Sequence, residues 1–109
     1  RHQIALEPAN GNYRADLMHQ LMIERRFDDA IQVLGETMRL LAKGERLSYQ
    51  DKVWKELDST WSHQYVYGTQ TEILEVRQKI GETFEAILKD YPAVQGEIRQ
   101  RASRYQVPK

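Results

Sequence analysis

Residues 27–43 read Phe27-Asp28-Asp29-Ala30-Ile31-Gln32-Val33-Leu34-Gly35-Glu36-Thr37-Met38-Arg39-Leu40-Leu41-Ala42-Lys43. Phe27, Ala30, Ile31, Leu34, Met38 and Leu41 recur at the three- and four-residue spacing of one helix face. Val33 and Leu40 project nearly the opposite way. A helix that is apolar on two sides needs neighbours on both, so this one is predicted to lie centrally. Asp28 is placed to cap its start, and Gly44 to stop its end.

Working outward, the same period recurs in both directions. A helix is predicted from Tyr13 to Arg25, with Asn12 as its cap and Leu17, Met18, Leu21 and Met22 as its apolar face. Downstream, Ser48-Tyr49-Gln50-Asp51 approximates a capping box for a third helix, with a stripe of Val53, Trp54, Leu57, Trp61 and Tyr65. Tyr67-Gly68 breaks that helix, and Thr69-Gln70-Thr71-Glu72 opens a fourth that reaches about Asp90. Its Ile73, Val76, Ile80, Phe84, Ile87 and Tyr91 form a near-heptad seam. Gly81 interrupts that helix beside the seam, which fits first the close approach of a neighbouring helix and second a binding cleft. Pro92 fits the first turn of a fifth helix, whose apolar side is Val94, Ile98, Ala102 and Tyr105. The expectation is therefore an all-α, antiparallel bundle of about five helices. Residues 1–12 form a lead-in, residues 13–105 a single α-helical domain, and residues 106–109 a frayed tail.

Composition narrows the function. The chain has 109 residues and 40% hydrophobic content, enough for one core and too little for a membrane-embedded protein. No apolar run of about 18 residues is present to span a bilayer. Lys+Arg and Asp+Glu both number 16, so the basic excess that phosphate affinity demands is missing and a nucleic-acid partner is not expected. There is no cysteine, which removes disulfides, thiolate catalysis and Cys-ligated metals. His2, His19 and His63 lack the Glu-x-x-His or His-x-x-x-His spacing of helical metal sites, and they read as solvated or edge residues. Phosphate loops, dinucleotide fingerprints and nucleophile elbows are absent. The carboxylates lie mostly off the apolar stripes beside Lys or Arg, as a solvated helix surface does. Neither a cofactor nor enzymatic chemistry is expected.

Residues 14–42 resemble a degenerate tetratricopeptide-type helix pair. The resemblance is carried by Arg26-Phe27-Asp28-Asp29-Ala30-Ile31-Gln32-Val33-Leu34: an aromatic, an acidic pair, a small residue, then aliphatics. Ala30 matches the small residue at the helix crossing, and Leu17 and Leu34 match large apolar positions. Met18 stands where the repeat prefers Gly, Arg14 where it prefers Trp, Thr37 where it prefers Ala, and Ala42 where it prefers Pro. No second copy follows at the 34-residue period. The resemblance implies a repeat-like first hairpin, and protein or peptide binding rather than catalysis.

The aromatic cluster is the most specific remaining feature. Trp54, Trp61, Tyr65 and Tyr67 crowd one helix and its end, and they are the candidate partner-binding residues. Aromatics dominate core burial and interface anchoring alike, so the cluster fits a wide part of the core or an apolar groove. The expected function is a small helical protein–protein interaction or adaptor module. Its partner would be a protein or peptide, or a second copy held through apolar surface left over on the second and fourth helices. The alternative is an extracytoplasmic sensory or regulatory bundle of a longer membrane-anchored protein, which a chain opening on Arg1 permits.

Overall fold

A computed structural model describes residues 6–60, 70–94 and 96–105. Among these, five α-helices form an all-α bundle: α1 (Gly11–Ile23), α2 (Phe27–Ala42), α3 (Gln50–Lys55), α4 (Gln70–Asp90) and α5 (Glu97–Arg104). A five-residue π-helical turn, Glu56–Thr60, continues α3.

The local signals explain most boundaries and correct several. Asn10, not Asn12, caps α1: its Oδ1 accepts from the Tyr13 N–H at 3.2 Å. Asp28 does not cap α2. That helix begins at Phe27, behind Arg26, and Asp28 and Asp29 occupy its first turn, where negative charge complements the exposed N–H groups. Ser48 does not cap α3: its hydroxyl turns to Ala9 O at 3.3 Å, and its backbone also pairs with the lead-in to α1. Its N–H donates to Ala9 O at 2.8 Å, and its carbonyl accepts from Gly11 N. Tyr49, in the left-handed conformation, takes the cap position instead. Pro92 lies in a turn before α5 rather than in its first turn, and Gly96 precedes the helix with φ +76°.

Helix α2 is the centre of the bundle. It packs on α1 along one side and on α4 along the other, and α1 also packs on α3 while α5 rests on α4. Ala30, Val33, Leu34, Thr37 and Met38 are fully buried, and Phe27, Leu40 and Leu41 are half-buried. Gly35 lets α4 approach: a Cβ there would stand 3.3 Å from Thr83 Cγ2. Gly81 is buried within α4. The seam of α4, Ile73, Val76, Ile80, Phe84 and Ile87, lies in the common core with Trp54, Leu57, Ile98, Ala102 and Tyr105.

Ion pairs tie the helices together at the rim. Lys79 on α4 bonds Asp28 on α2, Arg39 on α2 bonds Asp90 at 2.7 Å, and Arg25 bonds Glu72. These exposed pairs fix register more than they stabilise, since each contributes at most about 1 kcal/mol.

Candidate functional site

Of the four aromatic candidates, Trp54 is described; Trp61, Tyr65 and Tyr67 lie outside the described residues, as do His2 and His63. Trp54 is a member of the core, only 5% exposed. It sits two residues before the π-helical segment and turns inward with Val53 on α3 and Leu57 in that segment.

The cover over Trp54 is a charged side chain. The Arg101 guanidinium, from α5, lies 4.6 Å from the centre of the indole ring. Asp58, on the π-helical turn, holds it there: Arg101 Nη2 donates to Oδ2 at 2.6 Å and Nε to Oδ1 at 3.3 Å. Arg104 reaches the same carboxylate at 3.4 Å. A guanidinium gripped at two points presents its flat face to an aromatic with little entropy left to lose. The same helix end carries Tyr105, whose ring stacks on Phe84 at 6.1 Å and lies under the Arg77 guanidinium. The indole Nε1 of Trp54 is buried and has no hydrogen-bond acceptor among the described residues. A buried donor left in that state costs about 1–3 kcal/mol.

Beside this stack opens a cleft of about 320 Å³. Trp54, Leu41, Val94 and Ile98 supply apolar lining, from α3, the end of α2, the turn before α5 and α5 itself. Glu45, Arg46, Gln50 and Glu97 supply the polar part, with Gly44 between them. Gln50 reaches back so that its Oε1 accepts from Leu47 N at 3.3 Å, which fixes the loop wall. The volume is at the small end of ligand-pocket sizes and suits one large apolar side chain. Sequence reading placed Trp54, Val94 and Ile98 on apolar stripes. It missed Arg101 and Asp58, because a pairing across 43 residues leaves no periodic trace.

Two further titratable side chains join separate parts of the fold. Arg14 is buried, and its Nε donates to Pro8 O at 2.8 Å. Burial pushes its guanidinium below the usual arginine range, while the fields of Glu36 and Glu45 act the other way. His19 meets Glu56 through Nδ1 at 3.0 Å, which joins α1 to the π-helical turn. Among the described residues no cluster of three metal-ligating side chains forms, and no helix is long and apolar enough to cross a membrane. Val33 and the α4 seam from Ile73 to Ile87 are buried, while Leu40 and Leu41 on α2 and Tyr91 after α4 are half-buried. Exposed large apolar residues lie elsewhere, at Leu6, Ile23, Tyr49 and Leu74. In comparisons with protein-family models, curated proteins and solved structures, nothing matches this chain.

Proposed function

We propose that this domain is a helical protein-interaction module that takes an apolar anchor residue of a partner into the cleft beside Trp54. The observation that carries the reading is the cleft itself, which Trp54, Leu41, Val94 and Ile98 line in about equal measure with Glu45, Arg46, Gln50 and Glu97. Interface anchors work in that way, with a desolvated centre inside a polar rim. The resemblance of the first hairpin to a peptide-binding repeat points in the same direction.

A displayed peptide library selected on the intact chain tests the reading, with Val94→Asp as the counter-selection. Val94 is half-buried in the cleft wall, so the new carboxylate blocks the cleft without entering the core. The expected result is enrichment of peptides with one large apolar residue, bound at least about tenfold more weakly by Val94→Asp. No enrichment, or equal binding by both chains, would set the reading aside.

A further inference from the structure

Where helices meet, several acids are already matched: Asp28 with Lys79, Asp58 with Arg101, Glu72 with Arg25 and Asp90 with Arg39. The charges that line the cleft are not. Glu45, Arg46 and Glu97 form no ion pair and no side-chain hydrogen bond among the described residues. Glu45 adds to the field on the buried Arg14, but Arg14 bonds Pro8 and Thr37 instead. All three cleft charges are exposed, whereas Trp54 and Ile98 are buried and Leu41 and Val94 half-buried. The charges therefore stand toward solvent, with the apolar lining behind them.

The two acids come from separate parts of the chain, and the backbone under each is tied down. The Glu45 N–H donates to Leu40 O at 3.1 Å, and Gln50 holds Leu47 further along the same loop. Glu97 lies in the first turn of α5. Arg99 clamps that helix to the preceding turn, donating to Pro92 O at 2.8 Å and Val94 O at 3.0 Å. Receiving an occupant thus asks for side-chain rotation and no backbone rearrangement, which keeps the ordering cost low. The chain as a whole is neutral, so two acids against one base at the cleft is a local excess. An occupant that brings a cation supplies the ion-pair partner that neither acid has among the described residues.

We infer that the cleft selects a partner segment in which the apolar anchor has lysine or arginine beside it. The anchor enters among Trp54, Leu41, Val94 and Ile98, and the flanking cation meets Glu45 and Glu97. Arg46 is the like charge on this rim and works against the same residue. Glu45 and Glu97 thereby set specificity more than raw affinity, as charges at the edge of an interface do. This deepens the reading given above and rests on it: the cleft receives the anchor, and the two acids choose its neighbour.

The test uses the full chain and three peptides blocked at both ends. Each has a central phenylalanine flanked on both sides by lysine, glutamine or glutamate, with glycine and serine beyond. Binding is read from amide shifts in an NMR titration at low salt. The expected order of affinity is lysine, glutamine, glutamate, with the lysine peptide at least about threefold tighter than the glutamine one. Added salt should shrink that ratio. Glu45→Gln combined with Glu97→Gln should abolish it, and Arg46→Gln should widen it. The glutamine peptide should bind wild type and these variants alike, which reports an intact cleft. If it binds the double variant more weakly, Glu97→Gln has disturbed α5, and Glu45→Gln alone decides by narrowing the ratio.

A lysine peptide no tighter than the glutamine one, a preference for glutamate, or a lysine preference untouched by the acid-to-amide changes overturns the inference. Equal binding of all three peptides that Val94→Asp removes also overturns it, yet leaves the cleft reading intact. Binding that survives Val94→Asp places the peptides elsewhere and overturns both. If none of the three binds, the cleft reading falls and takes this inference with it.

Discussion

Arg14 and Thr37 meet in the core between α1 and α2. The Arg14 guanidinium Nη1 donates to Thr37 Oγ1 at 3.3 Å, and that hydroxyl donates onward to Val33 O at 2.7 Å. Arg14 is 4% exposed and Thr37 is fully buried. Together they form a buried polar bridge between the two helices. Removing one partner strands the other, so Thr37→Val is expected to cost about 1–3 kcal/mol. Arg14→Met with Thr37→Val should cost less than the two single changes summed, with a coupling of about 0.5–3 kcal/mol. Urea denaturation of the four proteins measures it, and strict additivity would show that the bridge carries no energy.

Ala30 is fully buried on α2, the helix that α1 packs against. Ala30→Leu adds three carbons at a site with no exposed surface and should lower stability by about 1–3 kcal/mol. A midpoint of denaturation equal to that of wild type would place the crossing elsewhere.

The apolar stripes of α2 and α4 were legible because periodicity reports burial directly: Ile31, Leu34, Met38, Val76, Ile80 and Phe84 all lie in the core. The starts of the helices were less so. Ser48 has the chemistry of a cap, but Ala9 and Gly11 compete for its backbone across almost 40 residues, and no local rule contains that contact. The cleft was half-visible for the same reason. Trp54 and Ile98 announce themselves as apolar; the carboxylate of Asp58 looks like any solvated acid until Arg101 is beside it.

Gly11 sits where α1 meets the start of α3. A Cβ on it would stand 2.7 Å from Ser48 O and 2.9 Å from Tyr49 O, both backbone atoms with no freedom to swing aside. Its N–H also donates to Ser48 O at 2.6 Å. Gly11→Ala should therefore open this junction and cost on the order of 1–3 kcal/mol, despite the better helix propensity of Ala. Amide exchange should rise at Ser48 and Gly11 first; a stabilised protein would contradict the contact.

Lys79 titrates above the usual lysine range because Asp28 accepts its hydrogen bond, an effect that slight burial opposes. A lysine whose folded pKa is raised contributes its full share of stability below the unfolded value of about 10.4, and loses it as pH rises through the folded value. The pair is exposed, so the share is small. Carbon-13 NMR of the lysine ε-carbons should show one resonance titrating late, and Asp28→Asn should return it to the others. A Lys79 signal that titrates with the rest would remove the pair from the solution structure.

Trp54 offers an optical check on the core and on the arrangement above it. With Trp61→Phe it becomes the sole tryptophan in the chain. At 5% exposure under the Arg101 guanidinium, it should emit at short wavelength and resist acrylamide quenching. Trp54→Ala deletes a large core side chain and should cost roughly 3–5 kcal/mol. Trp54→Phe should cost less than that. It keeps a ring for Arg101 to cover, worth about 0.5–2 kcal/mol, and it removes the indole N–H that has no acceptor among the described residues. If Trp54→Phe proves as damaging as Trp54→Ala, the N–H is being used, and its acceptor then belongs to the account of how this helix is held. If the single tryptophan is quenched as freely as an indole in water, Trp54 is not in the core.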